Sequence, residues 1–163
     1  MNSFVKKTCL KPRQYYVEDA NSKKYSFLLG ISSTGEYFGQ LVGGGVTSTV
    51  YSAFLVDLAK FDSSKTIYIV QDNAPIHKSR LVLATSHIHG IKAINTPGYF
   101  PQGNAVELMF ALIKHKLKKM HTAGKQALLV SLDYTLYTIP KASIMKMFKH
   151  AYEDIRRAAG YDK

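Results

Sequence analysis

A chain of 163 residues carrying 22 Lys and Arg against 11 Asp and Glu has a formal charge of +11, so its surface favours polyanions and leaves little material for acid-rich chemistry. The length suits one well-buried domain rather than two, and 46% hydrophobic with 20% charged residues is ordinary for a globular fold. Cys9 is the one cysteine, which excludes an internal disulfide or a structural zinc site. A reducing, intracellular location, nucleus or cytoplasm, is therefore expected. No run of about 18 apolar residues offers a membrane span.

Residues 1–23 are polar, basic and without period, and read as a basic N-terminal arm or a partial first strand, with Tyr15-Tyr16-Val17 as a short extended stretch after Pro12. Their Lys6, Lys7, Lys11 and Arg13 also resemble a weak organellar presequence, which leaves an organelle open. Lys24–Ser32 is a buried strand, Ser33-Thr34-Gly35 the turn, and 36–42 its antiparallel partner. Thr47 or Ser48 caps a helix that places Val50, Phe54, Leu55, Leu58 and Phe61 on one face. The short apolar run 66–70 is a strand of the kind buried on both sides. A helical segment spans 78–87 and ends near Gly90, Ile91–Asn95 is a further strand, and 96–103 is a Pro/Gly loop. Asn104 caps a long helix whose buried stripe is Ala105, Leu108, Met109, Leu112, Ile113, Leu117 and Met120. Beyond Gly124, Leu128, Leu129, Leu132 and Leu136 recur. After Pro140, Ile144, Met147, Phe148, Ala151, Tyr152 and Ile155 repeat at helical spacing. The order β-β-α-β-α-β-α-α-α predicts a three-layer α/β domain with a mixed sheet.

Two carboxylates stand out. The strand 66–70 runs into Gln71 and Asp72, then Asn73-Ala74-Pro75-Ile76-His77-Lys78-Ser79; Glu107 lies in the first turn of the helix capped by Asn104, with 34 residues between the two acids. Taken singly, Asp72 reads as a turn residue, Glu107 as a capping partner of Asn104, and His77-Lys78 as a solvated loop. Taken together, an acid at a strand's carboxyl end and another opening a later helix can converge on a hard divalent ion, Mg²⁺ or Mn²⁺. Asn73 and His77 lie where they could support it.

The segment Asp72 to Ser79 resembles the second-Asp motif of mariner-like transposases and their bacterial insertion-sequence relatives, in the RNase H-like superfamily. Downstream, Pro97, Tyr99, Pro101, Asn104, Glu107 and Lys114 match that family's Pro-Pro-Tyr-Ser-Pro-x-Leu-Asn-Pro-Ile-Glu-x-x-Trp-x-x-x-Lys block position by position, while Gly98, Phe100, Ala105 and Phe110 depart from it. The resemblance covers 25–119. It implies an RNase H-like domain over 24–122, its first strand missing or altered, with a helical extension over 123–163. It also implies DDE-type DNA strand cleavage and transfer, Asp72 and Glu107 as catalytic metal ligands, and Asn73, His77 and Asn104 behind them. The family's first catalytic Asp lies on the opening strand. Here that region would fall at or before Met1-Asn2-Ser3-Phe4, which holds no carboxylate, and Glu18 and Asp19 sit too close to the hairpin. The expected activity is therefore impaired, and the chain reads as a fragment or as a domesticated, inactive nucleic-acid-binding or structural subunit of a larger assembly.

On the Glu107 helix, Lys114 and Lys118 follow the acid at i+7 and i+11 on one side, flanked by Lys116 and Lys119 with His115 and His121 nearby; with Lys78 beside the first acid, this basic stripe suits a DNA backbone, with RNA as a second candidate. Solvated lysines on an amphipathic helix would look the same.

Overall fold

Alternation along one strand shows how the sheet is clothed. In β2 (Lys24–Ser32), Tyr25, Phe27, Leu29 and Ile31 belong to one apolar cluster, while Leu28 between them belongs to a second. A strand apolar on both faces needs cover on both. Helices α1 (Ser48–Phe61) and α2 (Arg80–Ile88) supply one side; α3 (Ala105–Leu117), α4 (Gly124–Tyr137) and α5 (Lys141–Ala158) supply the other. The computed structural model describes residues 7–16, 24–61, 66–97, 101–120 and 124–161, with 7–16 and 101 described by backbone alone.

The five strands run in the order β3-β2-β1-β4-β5, where β1 is Lys7–Tyr16, β3 Tyr37–Gly43, β4 Ile67–Gln71 and β5 Ile91–Asn95. The β1–β2 and β2–β3 pairs are antiparallel, and the β1–β4 and β4–β5 pairs parallel, so the sheet is mixed as expected.

The opening strand is present, which corrects its placement at or before Met1-Asn2-Ser3-Phe4. Pro12 and its basic neighbours hide it, because proline removes a ladder donor. Pairing of β1 with β4 ends at Leu10–Gln71, however, while pairing with β2 continues to Tyr16–Lys24. Pro12 therefore lies beyond the last β4 pair. What is altered is composition: KTCLKPRQYY contains no carboxylate. Met1-Asn2-Ser3-Phe4, Val17, Glu18 and Asp19 lie outside the described residues, as do Tyr99 and His121.

Helix faces follow the periodicity with instructive exceptions. In α1, Phe54, Leu55 and Leu58 are buried together with Tyr51, but Phe61 is 54% exposed and leans on the Phe38 ring at 5.4 Å. A 3₁₀ turn, Pro75–Lys78, precedes α2, whose N-cap is Ser79, the hydroxyl accepting from the Val82 N–H at 3.3 Å. The buried face of α3 includes Val106 and Phe110 beyond the expected stripe, because the sheet lies on one side and α4 and α5 on the other. On α5, Ile144 and Ala151 are buried, whereas Tyr152 and Ile155 are exposed.

Phe110 meets Phe27 edge-on, with centroids 6.3 Å apart and planes at 87°. Phe27 in turn occupies the space over Gly39, where an added Cβ would stand 2.6 Å from its Cζ. Gly39→Ala is expected to displace this ring pair and destabilise the fold by about 1–3 kcal/mol. Urea midpoints would show it, and a second substitution, Phe27→Leu, should recover part of the loss. Equal midpoints for wild type and Gly39→Ala would contradict this packing.

Candidate metal centre and nucleic-acid face

Leaving β4, the chain turns through Asp72. Its Oδ1 accepts the Ala74 N–H at 3.1 Å, a local Asx turn, and meets His77 Nε2 at 3.0 Å. Pro75 starts the 3₁₀ turn that brings His77 back underneath. The His77 side chain is fully buried and that of Asp72 is 34% exposed, so the imidazole lies below and the carboxylate opens outward. A carboxylate needs a donor, which assigns the Nε2–H tautomer. Nδ1 is then an acceptor, buried with no hydrogen-bond partner.

Below His77 lies a second polar layer. The Tyr51 ring packs against the imidazole at 4.4 Å, and its hydroxyl donates to Gln71 Oε1 at 2.6 Å. Gln71 Nε2 donates onward to Asn95 Oδ1 at 2.9 Å. One chain of hydrogen bonds thus keys α1, β4 and β5 together beneath Asp72. Burial, and then the negative charge of Asp72, push the Tyr51 hydroxyl pKa far above its ordinary value, so it remains a donor. Tyr51, Gln71 and Asn95 went unassigned in the sequence. The signal for Tyr51 was there, since it shares an α1 face with Leu55 and Leu58, four and seven residues on.

Glu107 enters from the neighbouring strand. The Thr96 N–H donates to the Gln71 carbonyl at 2.8 Å, so the chain leaving β5 runs beside the residue preceding Asp72 before it reaches α3. Buried Asn104 caps α3, its Oδ1 accepting the Val106 N–H at 3.4 Å. Half-buried Glu107 sits in the first turn, where the helix dipole favours an anion. Asn73 and Lys78 are exposed beside Asp72.

Among the described residues no group of three or more His, Cys, Asp or Glu could hold a metal ion. With Leu10 paired to Gln71, the β1 position in register with Asp72 is Lys11. The lysine stripe divides in two. Lys114 and Lys118, seven and eleven residues beyond Glu107, come round to its side of α3. Lys116 turns to the opposite side, where its Nζ donates to Thr138 Oγ1 at 3.1 Å, and Lys119 follows it toward α4.

Residues 11–129 match the profile of the DDE superfamily endonucleases. The chain belongs to that family. Its fold is that of the Mos1 mariner transposase catalytic domain, whose crystal structure superposes with a TM-score of 0.80 at 16% identity over 90% of this chain and 77% of that one. The same catalytic domain solved with raltegravir and Mg gives 0.74 at 17% identity, covering 90% and 80%. The Mos1 paired-end complex with the left transposon end gives 0.81 at 14% identity, covering 99% of this chain and 56% of that chain. No curated protein matches. The DDE domain here is thus RNase H-like, with five strands in the expected mixed arrangement.

Because the Tyr51 pKa is raised on folding, its contribution to stability is complete below the ordinary value of 10.0 and is lost as pH rises beyond that value. Tyr51→Phe is expected to remove this alkaline loss. At neutral pH it should cost about 1–3 kcal/mol, because Gln71 Oε1 is left buried without its donor. Urea midpoints at neutral and alkaline pH measure both effects, and parallel pH profiles for the two proteins would count against the network.

Proposed function

We propose that this DDE domain binds DNA and holds one divalent ion, Mg²⁺ or Mn²⁺, with Asp72 and Glu107, and that its strand cleavage and transfer are curtailed by an acid-free β1. The observation that carries the reading is the Asp72–His77 pair. A fully buried imidazole fixes one oxygen of a carboxylate that opens at the carboxyl end of a strand.

The donor set supports an ion of this kind. Carboxylate oxygens are hard ligands, and Mg²⁺ accepts one or two of them while keeping waters and taking substrate phosphates. A two-ion arrangement asks for more negative charge than these acids provide, and β1 carries Lys11 at the register position beside Asp72. When bound, such an ion supplies Lewis acidity for in-line displacement at phosphorus. The chain's own residues do the rest. His77 and the Ala74 N–H orient Asp72, Tyr51, itself bonded to Gln71, braces His77 from below, and Glu107 lies at the start of α3. Exposed Lys114 and Lys118, on the Glu107 side, together with Lys78, would meet phosphates of DNA. Mos1 structures with Mg, and with transposon ends in paired complexes, make DNA in an oligomeric assembly the expected partner. Asn73 and Asn104 act in support, Asn104 by capping the helix that carries Glu107.

A second reading is favoured by the same acid-free strand: binding without cutting, as a nucleic-acid-binding or structural subunit of a larger complex.

Calorimetric titration with Mn²⁺ distinguishes the two. Single-site binding is expected for the wild type and none for Asp72→Asn. For His77→Phe, which keeps a ring but loses the Asp72 contact, binding should be about 10–100-fold weaker. Lys11→Asp, adding a third acid in register, should tighten Mn²⁺ binding about tenfold, or 1.4 kcal/mol, and raise plasmid nicking. Heat-free titrations of all four proteins would sink the metal reading and leave the binding one.

A further inference from the structure

At the end of α3 away from Glu107, α3 and α4 enclose a groove of about 220 Å³ lined by Lys116, Lys119, Met120, Tyr134, Thr135 and Thr138. Lys116 is half-buried, and its ammonium is held by a hydroxyl rather than a carboxylate, Thr138 Oγ1 at 3.1 Å. That hydroxyl spends its own proton on the Thr135 carbonyl at 2.8 Å, so it meets Lys116 through a lone pair. The ammonium is oriented but not neutralised. Among the described residues no acid lines the groove, although Asp133 lies exposed next to Tyr134 in sequence. A cation held by a hydroxyl rather than an acid keeps its charge available to an arriving anion. Lys119 is exposed at the rim one turn later, and the Tyr134 ring, 59% exposed, forms the opposite lip.

We propose that this groove is a nucleic-acid subsite in which Lys116 and Lys119 take a backbone phosphate and Tyr134 stacks an unpaired base of single-stranded DNA. The volume admits a phosphate and part of a sugar and leaves the base at the lip, where the aromatic face is. Base–aromatic stacking beside a basic channel is the usual means of holding single strands without sequence preference. Lys116 is nine residues beyond Glu107, about 14 Å along the axis and half a turn round it. The strand held here is therefore not the segment at the carboxylates but a flank of it or a second strand, so the groove grips DNA rather than cutting it. This inference rests on the DNA-binding half of the proposed function and is independent of the metal half.

The test is anisotropy of a mixed-sequence single-stranded oligonucleotide over a salt series, with photocrosslinking of its 5-iododeoxyuridine form and mass mapping of the adduct. The expected adduct on the wild type is at Tyr134. Lys116→Gln with Lys119→Gln should flatten the slope of log affinity against log salt by about 0.7, the value for one phosphate contact on a single strand, and abolish the adduct. Tyr134→Leu should weaken binding between about fivefold and a hundredfold with the slope kept. Lys114→Gln with Lys118→Gln should lower the slope but keep the Tyr134 adduct. All readings are taken in EDTA without divalent metal, so a failed metal site leaves the result intact. A wild-type chain that does not bind the strand overturns the proposal. So does an adduct mapped elsewhere, or an unchanged slope in the Lys116, Lys119 double variant whose far-UV circular dichroism matches wild type.

Discussion

The contact between His77 Nε2 and Asp72 Oδ1, 3.0 Å long, joins two kinds of stability that usually conflict. A carboxylate that is to meet a cation must reach solvent, yet it must also stay in one place. Here the fixing is done from inside. The imidazole is wholly buried, Tyr51 packs against it, and the Tyr51–Gln71–Asn95 chain ties α1 to β4 and β5. Polar groups in a low-dielectric interior are strong when satisfied and costly when not, so this layer adopts one arrangement or fails. Asp72 inherits its direction from that layer. The turn that returns His77 beneath it needs Pro75 and the Asx bond to Ala74, which explains why Asp72, Ala74, Pro75 and His77 form one local unit.

The sheet around this unit is built for burial on both faces, and that sets the chemistry at its edge. β4 lies between β1 and β5, with Ile67 and Ile69 in the core beneath α1, so Asp72 emerges where three parallel strands end or pass. In a domain with net charge +11, acids placed there are conspicuous against the rest of the surface. For the proposed metal site, electrostatics sets how many ions these acids can hold. Each added divalent ion must be balanced by nearby negative charge before a phosphate, itself negative, can be accommodated. On the proposed reading β1 adds no acid to that balance, since none of its residues is a carboxylate.

Much of this was legible in the sequence, for identifiable reasons. Strands β2, β4 and β5, the hairpin turn and the starts of α1 and α3 each carry their own local signal, in apolar alternation, glycine or a capping side chain. Asp72 and Glu107 were legible because strand and helix context is written immediately beside them. β1 was legible only at its Tyr15-Tyr16 end, since Pro12 and a run of basic and polar residues contradict local strand propensity. What makes it a strand is nine partners on β2 and four on β4, which is tertiary information. The full buried face of α3 escaped for a similar reason: Val106 and Phe110 are core because two layers press on that helix rather than one. Tyr51 reads as an ordinary apolar-face residue until its hydroxyl is seen to end on Gln71.

The helix α3 shows how one element can carry several tasks without compromise. Its core face, centred on Met109 and Ile113, fixes its position against β2 and the later helices. With that face anchored, the remaining positions are assigned by angle alone. Glu107, Lys114 and Lys118 fall on one exposed side, and Lys116 on the side closed by α4. Lysines that look continuous in sequence are thus divided by the helix into a line leading from the carboxylate and a group facing away from it. Spacing of seven and eleven residues preserves a side, and spacing of nine reverses it. The orientation of both lysine groups is therefore fixed by the packing of α3, because rotating the helix would carry them round together and pull Phe110 off Phe27.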